Sequence, residues 1–124
     1  MKIRYSAKFR PFAPVLRVGI AFPDASPRTT LTALVDTGAD MTHIPLQILK
    51  RLKAPVLYSA VARANPAAPG YPVTVHEVDL IVNELRFPAI EVFGDENEQI
   101  IVLGRNFLNM MRIVLDRPKS ILEI

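Results

Sequence analysis

The residues best able to do chemistry are concentrated in one segment, Leu31-Thr-Ala-Leu-Val-Asp36-Thr37-Gly38-Ala39-Asp40-Met-Thr-His-Ile-Pro45. Its apolar, β-type run stops at Asp36 and a polar turn follows. A carboxylate is thereby set at a strand end, where the backbone turns tightly. Gly38 permits close backbone approach and unusual dihedral angles. Taken alone, Asp-Thr-Gly also serves as ordinary turn chemistry. Two such carboxylates brought together cannot both ionise cheaply, so one pKa rises and a proton is shared. One can then act as general base on a water while the other, protonated, polarises a carbonyl. The tripeptide occurs once in the chain, so a second carboxylate of this kind must come from another chain.

A second segment, Ile100-Ile-Val-Leu103-Gly104-Arg105-Asn106-Phe107-Leu108, follows far downstream. The two segments, in this order and at this separation, resemble the retropepsin-like (retroviral-type) aspartic proteases, in the form of a bacterial-type single-domain member. The resemblance covers about residues 15–116. It implies a closed all-β acid protease barrel with one or two short helices and half an active site per chain. It also implies a homodimer hydrolysing peptide or protein substrates in extended conformation. By the same resemblance Asp36 is the catalytic aspartate, Thr37 a hydroxyl tying two subunits together, and Gly38 a contact to substrate backbone. Ala39 lines the cleft, and Asp40 sits beside substrate and pairs with Arg105. Gly104 packs under the catalytic loop, and Asn106 caps or positions a helix start. Arg matches a carboxylate bidentately, which supports the pair on its own terms; two independent surface charges are the alternative. Both chain ends, Ile3–Tyr5 and Ile121–Ile124, could interdigitate with a partner's ends, although Asp116-Arg117-Pro118-Lys119 offers the tail another route.

The resemblance further implies a β-hairpin flap over the cleft, here spanning about Leu57–Val78 with its tip in Asn65–Pro72. The tip carries Pro66, Pro69 and Pro72 with only Gly70, so it is stiffer and poorer in backbone donors than a glycine-rich one. Tyr71 either covers the cleft or packs on the body. Apolar residues Ala39, Ile44 and Leu103 are expected on the cleft walls, favouring hydrophobic side chains beside the cleaved bond.

The remaining sequence supplies the elements that must hold these residues. Strands are predicted at 3–9, 15–22 and Thr29–Asp36, with a turn at Pro23-Asp24-Ala25-Ser26-Pro27. Pro45 suits a first helical turn, and Leu46–Leu52 has the apolar spacing of a short amphipathic helix. β-like sequence returns at Pro55–Ala64. Val73–Val82 slips phase near His76-Glu77, which predicts a bulge. Asn83-Glu84 reads as a tight hairpin turn into Leu85–Ile90, followed by β-like Glu91–Phe93 and an acidic, solvated loop over 94–99. Ile100–Leu103, Ile113–Asp116 and Ser120–Ile124 read as strands, and Arg105–Met111 as a short helix. Many short strands and few helices argue for a barrel or sandwich.

Composition narrows the possibilities. A chain of 124 residues, half of them hydrophobic, is expected to form one domain, 1–124, with a real core. The absence of cysteine excludes disulfides and thiolate metal sites and fits a reducing, cytoplasmic setting. Met1–Pro11 has no sustained apolar run of the secretory kind, and no stretch approaches the length that spans a bilayer. The net charge of +3 is scattered, without the aromatic-interleaved basic stripe of a nucleic-acid surface. Lone His43 and His76 have no metal-ligand spacing, and neither a metal nor another cofactor is expected. The alternative to an active protease is a catalytically weak or inactive relative that binds peptides or dimerises.

Overall fold

The computed structural model describes residues 1–23 and 29–124. The turn expected at Pro23–Pro27 lies, beyond Pro23, outside the described residues. The elements run β1 (Lys2–Arg4), β2 (Val15–Ala21), β3 (Thr29–Val35), β4 (His43–Pro45), α1 (Leu46–Arg51), β5 (Tyr58–Ala62), β6 (Tyr71–Val82), β7 (Leu85–Asp95), β8 (Ile101–Leu103), α2 (Arg105–Leu108), β9 (Val114–Asp116) and β10 (Ile121–Glu123).

The main sheet has the order β2-β3-β8-β4-β7-β6-β5, and pairing of β2 with β6 closes it, leaving β5 outside the ring. The result is a closed all-β barrel with two short helices, as the sequence predicted. Closure removes most strand edges and lets alternate residues fill one interior. Along β2, Leu16 and Val18 are fully buried while Arg17 points outward and bonds Thr32 and the Thr30 carbonyl on β3. Ile20, Ile44, Leu80, Val92, Leu103 and Phe107 complete the centre of the core.

Two features of the topology position the site. β3 and β8 pair in parallel, with Val35 opposite Leu103, so Asp36 and Gly104 leave their strands side by side. β4 is sandwiched between β7 and β8 and fixes the far end of the loop that begins at Asp36. This three-residue strand is too short to show in the sequence pattern; Pro45 ends it and stands at the N-cap of α1 rather than inside the first turn.

Several boundaries differ from expectation for local reasons. β1 stops at Arg4; the chain then loops, with a single bridge from Ser6 to Ala13, because Pro11 and Pro14 cannot donate to a ladder. The bulge falls between Val78 and Leu80, not at His76-Glu77. The extra residue lies on β7, where Pro88 and Ala89 (φ 56°) oppose the single Asp79 of β6. Asp79 is buried, and its carboxylate accepts from Arg86 Nε and the Ala89 amide, which is why a charge is tolerated there. β7 is one continuous strand from Leu85 through Asp95, absorbing the start of the presumed acidic loop. α2 is shorter than the predicted Arg105–Met111.

The terminal strands form a separate sheet, β1-β10-β9, within one chain. Ile3 lies opposite Leu122, and the α-amino group of Met1 bonds the Ile124 carbonyl at 2.7 Å. A turn at Asp116–Ser120, with the Lys119 amide bonded to Asp116 Oδ1, folds β10 back onto β9. The two ends therefore pair with each other within the chain, with β1 and β9 as the edges of this sheet.

Asn83 and Glu84, joining β6 to β7, have φ of 49° and 66°, the signature of a type I′ turn. Glu84 bears a Cβ where glycine is preferred, at a cost of about 1–2 kcal/mol. Glu84→Gly is expected to raise the thermal unfolding midpoint by a few degrees; an unchanged or lower midpoint would argue against strain at this turn.

Candidate active site

The catalytic-type loop is held on itself and from below. The Asp36 amide donates to the Leu103 carbonyl at 3.1 Å, continuing the β3–β8 relationship past the strand end. Asp36 Oδ1 accepts from the Gly38 amide at 2.9 Å, and the Asp36 carbonyl accepts from the Ala39 amide at 3.2 Å. The carboxylate is thus pinned along its own turn while the side chain stays half-buried. None of the described glycines has a positive φ, so the value of Gly38 is space, not unusual dihedrals. A Cβ there would stand 3.2 Å from Asp36 Oδ1.

The segment Gly104-Arg105-Asn106 supports this loop from beneath. Arg105 Nη1 donates to the Thr37 carbonyl at 2.9 Å and Nη2 pairs with Asp40 Oδ1. The Arg105 amide bonds the Ala39 carbonyl at 2.8 Å, and the Asn106 amide bonds the Asp40 carbonyl at 3.1 Å. Arg105 and Asp40 therefore meet, as anticipated, although both are exposed and their charge attraction is screened. The N-cap of α2 is Gly104 and it has no side-chain cap, so Asn106 does not cap the helix. Its Oδ1 instead accepts from both the amide and hydroxyl of Thr42, and its Nδ2 donates to the Glu91 carbonyl. Thr42 Oγ1 in turn accepts from the Gly104 amide at 3.1 Å. Thr42 is wholly buried. The sequence reading passed over it because threonine beside a turn carries no distinctive signal.

Asp36, Gly38, Ala39 and Asp40 form the floor of a groove of about 770 Å³. The β5–β6 hairpin, through Val61–Pro66 and Tyr71, borders it on one side; His43, Phe93, Glu98 and Val102 border it on another. Ile44 and Leu103, expected on the cleft walls, are instead fully buried in the core. Strand alternation is the reason: their neighbours His43 and Val102 take the groove-facing positions. The wall is consequently more polar than the sequence suggested. On another side, Asp36 and Thr37 also line a hollow of about 620 Å³ together with Tyr5, Arg10, Phe12, Pro14 and Leu115.

Tyr71 both borders the groove and is anchored to the body. Its hydroxyl donates to Asp95 Oδ2 at 2.7 Å. His43 Nδ1 donates to the same oxygen at 2.8 Å, and the Asn97 amide to Oδ1 at 2.8 Å. Asp95 is wholly buried, not part of a solvated loop as expected. Burial alone would raise its pKa, but the three donors outweigh it and hold the carboxyl below its ordinary value. Burial, reinforced by the Asp95 bond, pushes Tyr71 up to about 12, so its hydroxyl remains a donor at every working pH. Glu98 is raised by burial first, then by the Asp95 charge; His43 opposes this and Asp36 adds to it.

With the geometry in view, the comparisons with known proteins agree with it. The sequence profile of the "gag-polyprotein putative aspartyl protease" family matches residues 28–110. The chain belongs to this retropepsin-like aspartic protease family. Similar solved structures include a retropepsin-like aspartic protease from Rickettsia conorii, 17% identical, covering 98% of this chain and 86% of that one, with a TM-score of 0.70. EIAV protease complexed with the inhibitor HBY-793 is 20% identical, covering 91% of this chain and all of that one, with a TM-score of 0.67. The retroviral protease-like domain of Ddi1 from Leishmania major aligns at a TM-score of 0.52 with 18% identity, covering 89% of this chain and 87% of that one. No curated protein matches the chain by sequence.

Two expectations follow from the site. A Cβ on Gly104 would lie 2.3 Å from the Met41 carbonyl oxygen and 2.4 Å from its carbon, with no flexible side chain to yield. Gly104→Ala is expected to destabilise the fold by about 1–3 kcal/mol or more, seen as a lowered denaturant midpoint; a wild-type midpoint would contradict the packing. Because the folded pKa of Asp95 is depressed, its stabilisation is present above the unfolded carboxylate pKa and is lost as pH falls through the folded one. Between pH 6 and pH 3, wild type should therefore lose more thermal stability than Asp95→Asn; equal losses would show that the buried carboxylate is not linked to folding.

Proposed function

We propose that the chain is an aspartic endopeptidase that works as a homodimer, each subunit giving one Asp36 to a shared site. The observation that carries this reading is the loop geometry. Asp36 stands at a strand end, oriented by Gly38 and braced by Arg105, where a peptide-sized groove and an interfacial-type hollow meet. Family membership supports peptide hydrolysis as the reaction class.

In the proposed chemistry an ionised Asp36 takes a proton from a water, and that water's oxygen attacks the scissile carbonyl carbon. The second Asp36, protonated, gives its proton to the carbonyl oxygen, forming a neutral gem-diol. In the collapse the second Asp36, now ionised, takes a diol proton, the first gives the proton it took from water to the leaving nitrogen, and the C–N bond breaks. The substrate lies extended along the groove with the β5–β6 hairpin above it as a flap, excluding water. Gly38 and Ala39 meet its backbone, Asp40 and Arg105 border it, and Gly104 and Asn106 hold the loop from below. Tyr71 closes the hairpin side. No metal or other cofactor has a part in these steps.

The second copy is proposed to cover the face beside Asp36 and Thr37, with the two Thr37 hydroxyls meeting across the twofold axis. Phe12, 47% exposed and lining the hollow beside Asp36, gives that assembly apolar surface to bury. We place the enzyme in the cytoplasm, where a chain without cysteine loses nothing to reducing conditions; among the described residues no helix is long and apolar enough to cross a membrane. The proline-rich tip favours the second reading, a peptide-binding relative without useful turnover.

A diverse peptide library cleaved at several pH values separates the two. Wild type is expected to cut peptides, and Asp36→Asn to lose at least about 100-fold in kcat/KM. Specific activity should also fall on dilution below the dimer dissociation constant. Peptide binding without turnover, or cleavage by Asp36→Asn at the wild-type rate, would reject the protease reading.

A further inference from the structure

The β5–β6 hairpin leaves the barrel at a defined place. β6 pairs with β7 only as far as Thr74 opposite Gly94; beyond it, residues 71–73 pair with β5 alone. A two-stranded ribbon is marginal by itself, so what ties it down sets where it rests. At its root, Tyr58 on β5 bonds Glu91 on the surface. Beyond the last β6–β7 pair, Ala62 and Val73 are buried, and the side-chain hydrogen bond to the barrel is the Tyr71 hydroxyl on Asp95 Oδ2, the same oxygen that holds His43 Nδ1 on the groove wall.

We propose that Asp95 is a positioning residue that clasps the hairpin to His43, setting the resting height of the hairpin over the groove. The carboxylate is suited to this. It is wholly buried, ends β7 beneath the hairpin, and has both oxygens occupied by donors from three places in the chain: Tyr71, His43 and the Asn97 amide. Bonds to a buried carboxylate are stronger than neutral ones and directional. An ionised carboxylate only accepts, so the proton lies on His43 Nδ1, and the ring, packed edge-on against Phe93 with centroids 5.2 Å apart, is fixed in one orientation at the groove. One buried group thus orders two neighbouring parts of the groove's border, the hairpin at Tyr71 and the wall at His43. Substrate entry must break or stretch the Tyr71–Asp95 bond, and closure over a peptide restores it.

The proposal uses the peptide-groove reading for its kinetic consequence, but its structural consequence stands apart from catalysis. Tyr71→Phe keeps the ring and deletes only the bond. Amide hydrogen exchange in residues 58–62 and 71–73 is expected to quicken by about tenfold in this variant, with β2 and β3 unchanged. For any peptide that wild type cleaves, KM is expected to rise by about tenfold with kcat within about twofold, since the loss falls on binding and closure. His43→Gln should leave hairpin exchange slow, because Tyr71 and Asp95 still meet. Unchanged exchange in the hairpin of Tyr71→Phe would overturn the clasp. So would equal acceleration in all strands, which marks a general stabiliser, or a fall in kcat with unchanged KM. If wild type cleaves nothing, the protease reading fails and the exchange arm still decides the clasp.

Discussion

The close passage of Gly104 beneath the Met41 backbone is the constraint on which the rest of the site depends. No side chain fits between them. That contact lets β8 run parallel to β3 and emerge directly under the loop that follows it. The bracing of the Asp36 loop from below comes from this approach, while the Gly38 and Ala39 amides hold Asp36 along its own turn. Backbone bonds from Arg105 and Asn106 reach up to Ala39 and Asp40, the Arg105 guanidinium holds the Thr37 carbonyl, and Asn106 and Thr42 lock the far side of the loop. A catalytic-type carboxylate on a surface loop would ordinarily be mobile. Here its loop is held by a second segment that sequence places far away and topology places alongside.

The legible part of this protein was the part in which residue type and geometry are locally linked. Asp36-Thr37-Gly38 and Gly104-Arg105-Asn106 could be read as a pair because their order and separation resemble the retropepsin-like proteases, where Asp-Thr-Gly alone would read as a turn. The Asn83-Glu84 turn was equally plain from its position between two β-like runs. Asp95 was not. It sits in a run of acidic residues, and only its neighbours in space, Tyr71 and His43, reveal that it is buried while Glu96 is exposed. Ile44 and Leu103 were set on the groove wall by hydrophobic character alone. A one-residue change of face along each strand gives that wall to His43 and Val102, and the groove acquires a polarity no apolar count could show. β4 was lost to its length, and the bulge lies opposite Asp79, on β7, because alternation along β6 locates a slip only approximately and does not say which strand carries the extra residue.

The terminal strands bear on how two halves of a site would come together. β10 returns onto β9 and pairs with β1 in the same chain, which leaves β1 and β9 as the edges of a three-stranded sheet. The proposed dimer also has a surface nearer the site to cover: the hollow beside Asp36 and Thr37, with Tyr5, Phe12 and Leu115 around it. Activity in the proposed dimer is governed by the chain's own concentration, because each chain would bring one Asp36 and the shared proton needs two.

The most direct test of that claim is a subunit-mixing titration. Wild type and Asp36→Asn are equilibrated at fixed total concentration, well above dimer dissociation, and cleavage is followed as the wild-type fraction falls. If two Asp36 carboxylates from two chains form one site, activity should follow the square of the wild-type fraction, with about a quarter remaining at equal mixing. Activity that falls in simple proportion to the wild-type fraction would show that each chain works alone, and would contradict the shared site.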